Sequence, residues 1–531
     1  MLSRRDFLKA SSALAVALMG GLYFTQKTKI NAKHILCSAS HDKLAVSLSL
    51  PKGISQLELK VNNLTFNGRR VDLEGKHWQI LADKLDSLTT YQLKLLSGDE
   101  VIDSPWPLRT LPNPESDIDK LSIMAFTCAG GSDGFSVSGK QFFKPFAFRQ
   151  RMFDEGLAQN PDLAIAIGDH VYFDLRRESS PPVGRNNKFI KFFVGGLLKL
   201  RYGSFDRKAS AKSKQNERVL KKIGNEQIAD LYGTKFRSIP TYFIADDHDY
   251  FENDDAEEEL VTFPADDFSR DAFKTMADLY YPPMIDTPSG ELGRKNGSIR
   301  YGNLFEALMA DCAGDMTLGG DKAGLVSTLT EKTLIKRFKK SKAKHLAFVP
   351  SHPLGYTAGK WREWYPDVVA TEGETGTVTN ELLSEKTSGS LTVQATKYLW
   401  QSGWFLQHQR LLSALSNRPG SRFMLSGDIH AIAVSSIKES SGNNLPKPVK
   451  SILVGPVSSS TGTWPSAARG IVAAKPNFLE ADEIVPVTEE NGFLIMNIDS
   501  NSAVIKINFC GGHDPQKGDD GSIRRTFEFE V

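Results

Sequence analysis

Apolar and polar positions follow two different rhythms along this chain, and the change of rhythm divides it. From about Lys33 to Thr110 short alternating runs dominate: LAVSLSL from Leu44, LELKV from Leu57, HWQIL from His77 and YQLKLL from Tyr91. Asn62-Asn63, Asn67-Gly68 and Ser97-Gly98-Asp99 separate them as turns. Evenly spaced strands of period two predict a small antiparallel β-sandwich, immunoglobulin-like, over residues 31–112, serving as a support or a lid. Leu111-Pro-Asn-Pro-Glu-Ser-Asp117 reads as a linker, because each Pro removes a backbone donor and fixes φ.

From residue 118 to residue 531 strand and helix rhythms alternate. Lys120–Cys128 (KLSIMAFTC) predicts a strand and Phe143–Gln159 a helix. Within Leu163–Asp174 the run LAIAI meets Gly168 without a polar break, the pattern of a strand buried on both faces. It ends in Asp169 and Tyr172. Thr241–Asp249 (TYFIADDHD) and Arg422–His430 (RFMLSGDIH) finish in Asp and His as well. Open α/β sheets hold ligands at the carboxyl edge of their strands, so these endings predict one polar site drawn from three places in the sequence. A helix from Glu226 leads into the second of these strands, and others are predicted over Asn303–Cys312, Lys344–His352, Ser451–Val457, Phe493–Ile498 and Ala503–Phe509. A polar, basic insert from Arg176 to Gly224 contains FIKFFVGGLLKLRYGSF, which reads as a lid or as an interfacial membrane helix. Glu252–Glu259 reads as a solvated acidic face, and Gly355–Gly389 as a loop over the site.

Composition narrows the class. A chain of 531 residues is too long for one ordinary domain. Its formal net charge of +2 gives no electrostatic case for a nucleic-acid partner. Cys37, Cys128, Cys312 and Cys510 are scattered without paired spacing, which argues against a disulfide framework. Ser3-Arg4-Arg5-Asp6-Phe7-Leu8-Lys9, followed by the apolar Ala10–Phe24, predicts a twin-arginine export signal within residues 1–30. Its partner would be the twin-arginine export machinery and its destination the periplasm or another extracytoplasmic space, with membrane anchoring if the segment stays uncleaved. That route exports folded proteins, which suits a site loaded with metal in the cytosol.

The strand ends carry the chemistry. Cys128 closes the first strand, Asp169 and Tyr172 the second, Asp247 and His248 the third; His352 ends Val349-Pro-Ser-His352, and Asp428 and His430 end the last. A lone Cys there is usually a small buried hydrophobe, and a lone Asp or His usually a cap or a structural hydrogen-bonder. Several carboxylates on one sheet edge repel one another unless cations neutralise them. Carboxylate and phenolate mixed with imidazole and thiolate suits a trivalent iron beside a divalent, oxygen-preferring ion, with Asp169 as the bridging carboxylate.

Gly168-Asp-His-Val-Tyr172, Asp246-Asp-His-Asp249 with Asn253, and Gly427-Asp-Ile-His430 resemble the blocks of PhoD-type alkaline phosphatases, relatives of the metallophosphoesterases and purple acid phosphatases. Cys128 in Ala-Phe-Thr-Cys stands where that family places a thiolate ligand. Ala245 replaces the Trp usual before the second block, and the two inserts carry no alignable motif. The resemblance implies an α/β fold, a four-layer α/β/β/α catalytic domain with two facing mixed sheets. It implies Fe³⁺ on Cys128, Asp169, Tyr172 and His430, and a divalent ion such as Ca²⁺ on Asp169, Asp247, Asp428 and Asn253 or His352. His248 is then the general acid for the leaving alkoxide or its transition-state stabiliser, with His170 and Asn253 as phosphate contacts. The expected function is hydrolysis of phosphomonoesters or diesters. Alternatives are a phospholipase D-like diesterase meeting lipid through its basic insert, and a membrane-tethered protein that only binds.

Overall fold

The computed structural model describes residues 30–175 except 138, 199–283 except 254–255, 258–259 and 262, 296–357 except 318–319, 368–369, 390–391, 402–512 except 469–471 and 477, and 519–531. The predicted export signal, most of the FIKFF segment and nearly all of the Gly355–Gly389 stretch lie outside the described residues.

Two sheets face each other at the centre. The first runs in the order Thr241–Ile244, Leu163–Ile167, Lys120–Thr127, Glu490–Asp499, Ala503–Gly512, Arg525–Glu530. The second runs Gly297–Tyr301, Phe305–Ala310, His345–Pro350, Ser421–Ser426, Asn443–Leu453, Ile432–Ser440, Leu479–Thr488. Period-two alternation decides which face each side chain serves. Ile123, Ala125, Ile165 and Ile167 join Ala307, Met309, Val349 and Leu425 in the core between the sheets. Their neighbours Met124, Phe126, Ala164 and Ala166, with Leu308, Phe348 and Met424, point outward into cores covered by helices. Helices Phe146–Leu157, Lys214–Gly224 and Asp267–Tyr280 supply the first sheet's cover; Thr328–Lys340 and Ser402–Ser416 supply the second's. The strands Leu163–Ile167, Phe305–Ala310 and His345–Pro350 are therefore buried on both faces, and the order is helix, sheet, sheet, helix.

Thr241–Ile244, Leu163–Ile167 and Lys120–Thr127 run parallel in the first sheet, and Phe305–Ala310, His345–Pro350, Ser421–Ser426 and Asn443–Leu453 do so in the second. Their carboxyl ends consequently share one rim, where the sheets are tied by Thr127 N–H to Gly455 O (3.3 Å) and Val457 N–H to Thr127 O (2.9 Å). Gly427 has to be glycine at that rim, since a Cβ would come within 2.1 Å of Thr127 Oγ1.

Residues 34–109 form a four-stranded and a five-stranded sheet around their own apolar residues. One reading changes here. Alternation predicts one wet face, yet His34–Ala39 and Leu44–Ser49 are buried throughout. Their polar face is covered by the end of the Asp267–Tyr280 helix, where His34 Nε2 meets Tyr280 O (3.1 Å), Gln79 Nε2 donates to Asp278 O (2.9 Å) and Ser38 Oγ donates to Pro283 O (2.7 Å). Ile35 N–H also donates to Gly233 O (3.0 Å) beside the edge strand Thr241–Ile244. The N-terminal sheets thus buttress the first central sheet and its helical cover.

Three other expectations need correction. The end of the basic insert is the amphipathic helix Lys214–Gly224, capped by Ser213, with Val219, Leu220 and Ile223 buried; its charged outer face hid that spacing. Glu252 and Asn253, read with the acidic face, are buried. The predicted strands end with Ala503–Phe509, whereas the chain adds one more, Arg525–Glu530, to the first sheet.

Candidate metal centre

Four segments distant in sequence meet at the shared rim. Cys128 Sγ lies 3.4 Å from Asp169 Oδ2, and the Tyr172 hydroxyl donates to the same oxygen at 2.9 Å. That hydroxyl is 3.0 Å from His430 Nε2, which is 3.9 Å from Asp169 Oδ2. Cys128, Asp169 and His430 offer donor atoms within 4.8 Å of one another, as do Asp169, Asp247 and His248, and as do Asp246, Asp247 and Asp428. Asp169 belongs to the first two groups and Asp247 to the last two, so the three groups form one continuous centre.

The backbone is bent to make it. Cys128 (φ 49°), Asp169 (φ 58°), Asp428 (φ 68°) and His430 (φ 48°) all adopt the left-handed region that non-glycine residues avoid. Strain of this kind persists where the surroundings over-determine it, and it clusters at functional sites. Gly168 (φ 66°) makes the approach possible, because a Cβ there would stand 2.5 Å from Asp246 Cβ. The peptide bends are hydrogen-bonded from outside. Asp249 accepts from Asp169 N–H and His170 N–H (both 2.9 Å), and Ser458 donates to Cys128 O through N–H (3.0 Å) and Oγ (2.7 Å).

Electrostatics show that the donor set suits cations. Burial, then the nearby Asp247, raises the Asp169 carboxyl well above its usual range. Burial, then Asp169, does the same to the Cys128 thiol and the Tyr172 phenol. Asp169 Oδ1 is buried and has no protein hydrogen-bond partner. A cation relieves all of this at once, since it replaces lost hydration and neutralises mutual repulsion. His430 is held neutral, its pKa lowered to about 3 by burial and by His248. Its Nδ1 is 2.8 Å from Ser459 Oγ; with that nitrogen carrying the proton, Nε2 is free to ligate.

His248 stands at the side of the centre, its ring 4.3 Å from that of Tyr172. Its Nδ1 is 2.7 Å from Asp174 Oδ1. Burial disfavours its charge, but Asp174, Asp247 and Asp169 outweigh that and hold the imidazolium well above the usual range.

The structure therefore gathers Cys128, Asp169, Tyr172, Asp247, His248, Asp428 and His430. His352 faces the neighbouring carboxylate, its Nδ1 2.6 Å from Asp246 Oδ1. Asn253 is buried in the turn that follows the Asp247–Tyr250 helical turn. His170 is a correction. It turns away from the centre, with Nε2 on Ile244 O (3.0 Å) and its ring against Phe243 and Tyr281. Burial lowers its pKa to about 4, so it is a neutral packing residue rather than a phosphate contact. Three residues escaped the sequence reading. Asp246 was legible as a carboxylate but not as a third acid beside Asp247 and Asp428; Asp174 lies in the loop that follows the strand Leu163–Ile167; Ser459 lies in a Ser-rich turn with no motif.

No family model matches the chain, and no curated protein matches it in sequence. Solved structures do match its fold. One, described as the structure of PhoD, aligns with a TM-score of 0.59 over 94% of this chain and 90% of that chain, at 13% identity. Another, the purple acid phosphatase PPD1 from yellow lupin (Lupinus luteus) seeds, aligns with a TM-score of 0.51 over 93% of this chain and 73% of that chain, at 10% identity. The chain has the architecture of these two proteins.

Proposed function

We propose that this chain, built on the architecture of PhoD and a purple acid phosphatase, is an exported metal-dependent phosphoester hydrolase acting on monoesters, diesters or both. The observation that carries this reading is the convergence of Cys128, Asp169, Tyr172 and His430 beside Asp246, Asp247 and Asp428. Cys128, Tyr172, His430 and Asp169 would hold Fe³⁺, which favours phenolate and thiolate donors. Asp169, Asp247 and Asp428, with Asn253, would hold a harder divalent ion such as Ca²⁺. Bound there, the two ions supply Lewis-acid polarisation of phosphoryl oxygens and an acidified water for in-line attack.

The chain's own groups do the rest. His248 is the proton donor to the departing alkoxide. Asp174 orients that imidazole by accepting from Nδ1, leaving the Nε2 proton to face the substrate. With ions bound, Asp169 and Asp247 are neutralised, so Asp174 remains the carboxylate that keeps His248 charged. His352 fixes Asp246 through its 2.6 Å contact. Export rests on Arg4-Arg5 and the apolar segment after them. No described helix is long and apolar enough to cross a membrane.

Elemental analysis of protein made through its own export route, together with phosphate or nitrophenol release from aryl phosphates, tests the proposal. We expect iron plus a divalent ion, and loss of turnover and of metal in Asp169→Ala. A folded, metal-free wild type without esterase activity would refute it.

A further inference from the structure

We propose that Gln227 is a positioning residue for Tyr172, tying the loop after Cys128 to the loop that carries Asp169 and Tyr172. The inference rests on the reading of these residues as metal ligands. Gln227 is fully buried. Its Oε1 accepts from Gly131 N–H (2.8 Å) and from Tyr172 N–H (2.7 Å), while its Nε2 donates to Tyr172 O (3.1 Å). One amide thus satisfies both main-chain groups of the phenolic residue and a main-chain donor three residues past the thiol.

The element that presents it is unusual. Asn225–Asp230 is a π-helical turn continuing the helix Lys214–Gly224. Such turns insert a residue into a regular helix and recur at functional sites. The clamped loops have little freedom of their own. Gly131 (φ 97°) passes so close to Phe143 that a Cβ would sit 2.4 Å from its ring. The same ring lies 4.9 Å from that of Tyr172, which is also 4.3 Å from the ring of His248. With the ring so packed and the main chain held at both ends, the phenol oxygen is delivered to Asp169 and His430. Outer contacts of this kind fix ligand orientation, and their loss weakens metal binding by about 10- to 100-fold.

The molecule contains its own control. Gln407 is a buried amide of the same design, accepting from Leu325 N–H (2.6 Å) and Val326 N–H (2.9 Å) and donating to Val326 O (2.9 Å), with no metal-ligand candidate among these partners. Wild type, Gln227→Met, Gln227→Glu and Gln407→Met are to be loaded with Fe³⁺. The readings are the visible ferric–phenolate band, iron affinity by chelator competition, and the melting temperature of metal-free protein. Both Met variants lower the melting temperature. Gln227→Met alone shifts or weakens the band and loses about 10- to 100-fold in iron affinity. Gln227→Glu keeps both accepted bonds, loses the one to Tyr172 O, and shows a smaller change in the same direction; it decides the matter if the Met variant does not fold. Band and affinity unchanged in the Gln227 variants overturn the proposal while leaving the metal centre standing. A wild type with no iron and no band overturns the metal reading and this inference with it.

Discussion

Two histidines next to an aspartate in the sequence have opposite fates, and the difference is one of surroundings. His248 faces a carboxylate at the side of the centre, whereas His170 faces a carbonyl and two aromatic rings. Loss of a positioned acid costs about 10²–10⁴-fold in rate. His248→Asn is expected to show that loss on alkyl phosphates and far less on nitrophenyl phosphate, whose leaving group needs no proton. Equal losses on both substrates would remove the acid role. Asp174→Asn should weaken the same preference without changing metal content. His170→Gln should leave kcat and metal content unchanged while lowering stability by about 1 kcal/mol, the scale of one buried hydrogen bond. Tyr172→Phe should abolish the visible colour of the iron-loaded protein; a variant that keeps its colour would place the phenol outside the iron site.

At the scale of elements, the C-terminal segment reaches back to the wall of the centre. Asp519 forms a buried ion pair with Lys144 (2.7 Å), next to the Phe143 ring that packs on Tyr172. Removing one partner of a buried pair leaves the other charge unpaired, at a cost of about 3–5 kcal/mol. Asp519→Ala should therefore lower stability by about that amount in urea unfolding, and replacing both residues by apolar ones should recover most of it. Strands at this scale were legible where both faces are buried, as in LAIAI, because continuous apolarity has few other meanings. The helix Lys214–Gly224 was not, because Lys214, Glu217, Arg218, Lys221 and Lys222 outnumber the apolar Val219, Leu220 and Ile223. Ser458 and Ser459 were also illegible, since a serine's role as an outer hydrogen-bond donor depends wholly on what the fold puts beside it.

At the scale of the whole molecule, the N-terminal sheets are joined to the central layers through neutral, buried imidazoles. Burial holds the His34 pKa at about 3, and it lowers that of His77 as well. The unfolded chain takes up these protons near pH 6.5, and the folded chain takes one up at His34 only near pH 3. The stability these groups contribute is present above pH 6.5 and is lost as the pH falls toward 3. His34→Gln should flatten the acid limb of stability against pH by up to one proton relative to wild type. An identical slope in the two proteins would show that the contact with Tyr280 does not set the acid limit.

The sequence by itself determined the buried strands and most of the donors. Apolar runs that end in Asp and His can be read locally, because burial on both faces and an abrupt polar ending are properties of neighbouring residues. Tertiary structure alone decided which donors share a centre. His170 and His248 both follow an aspartate at a strand end, and only the packing of Phe243 and Tyr281 turns His170 away from the centre. Asp246, Ser459 and Gln227 acquired their places in the same way, for a hydrogen bond or an electrostatic field acts through space and leaves no spacing in the chain to read.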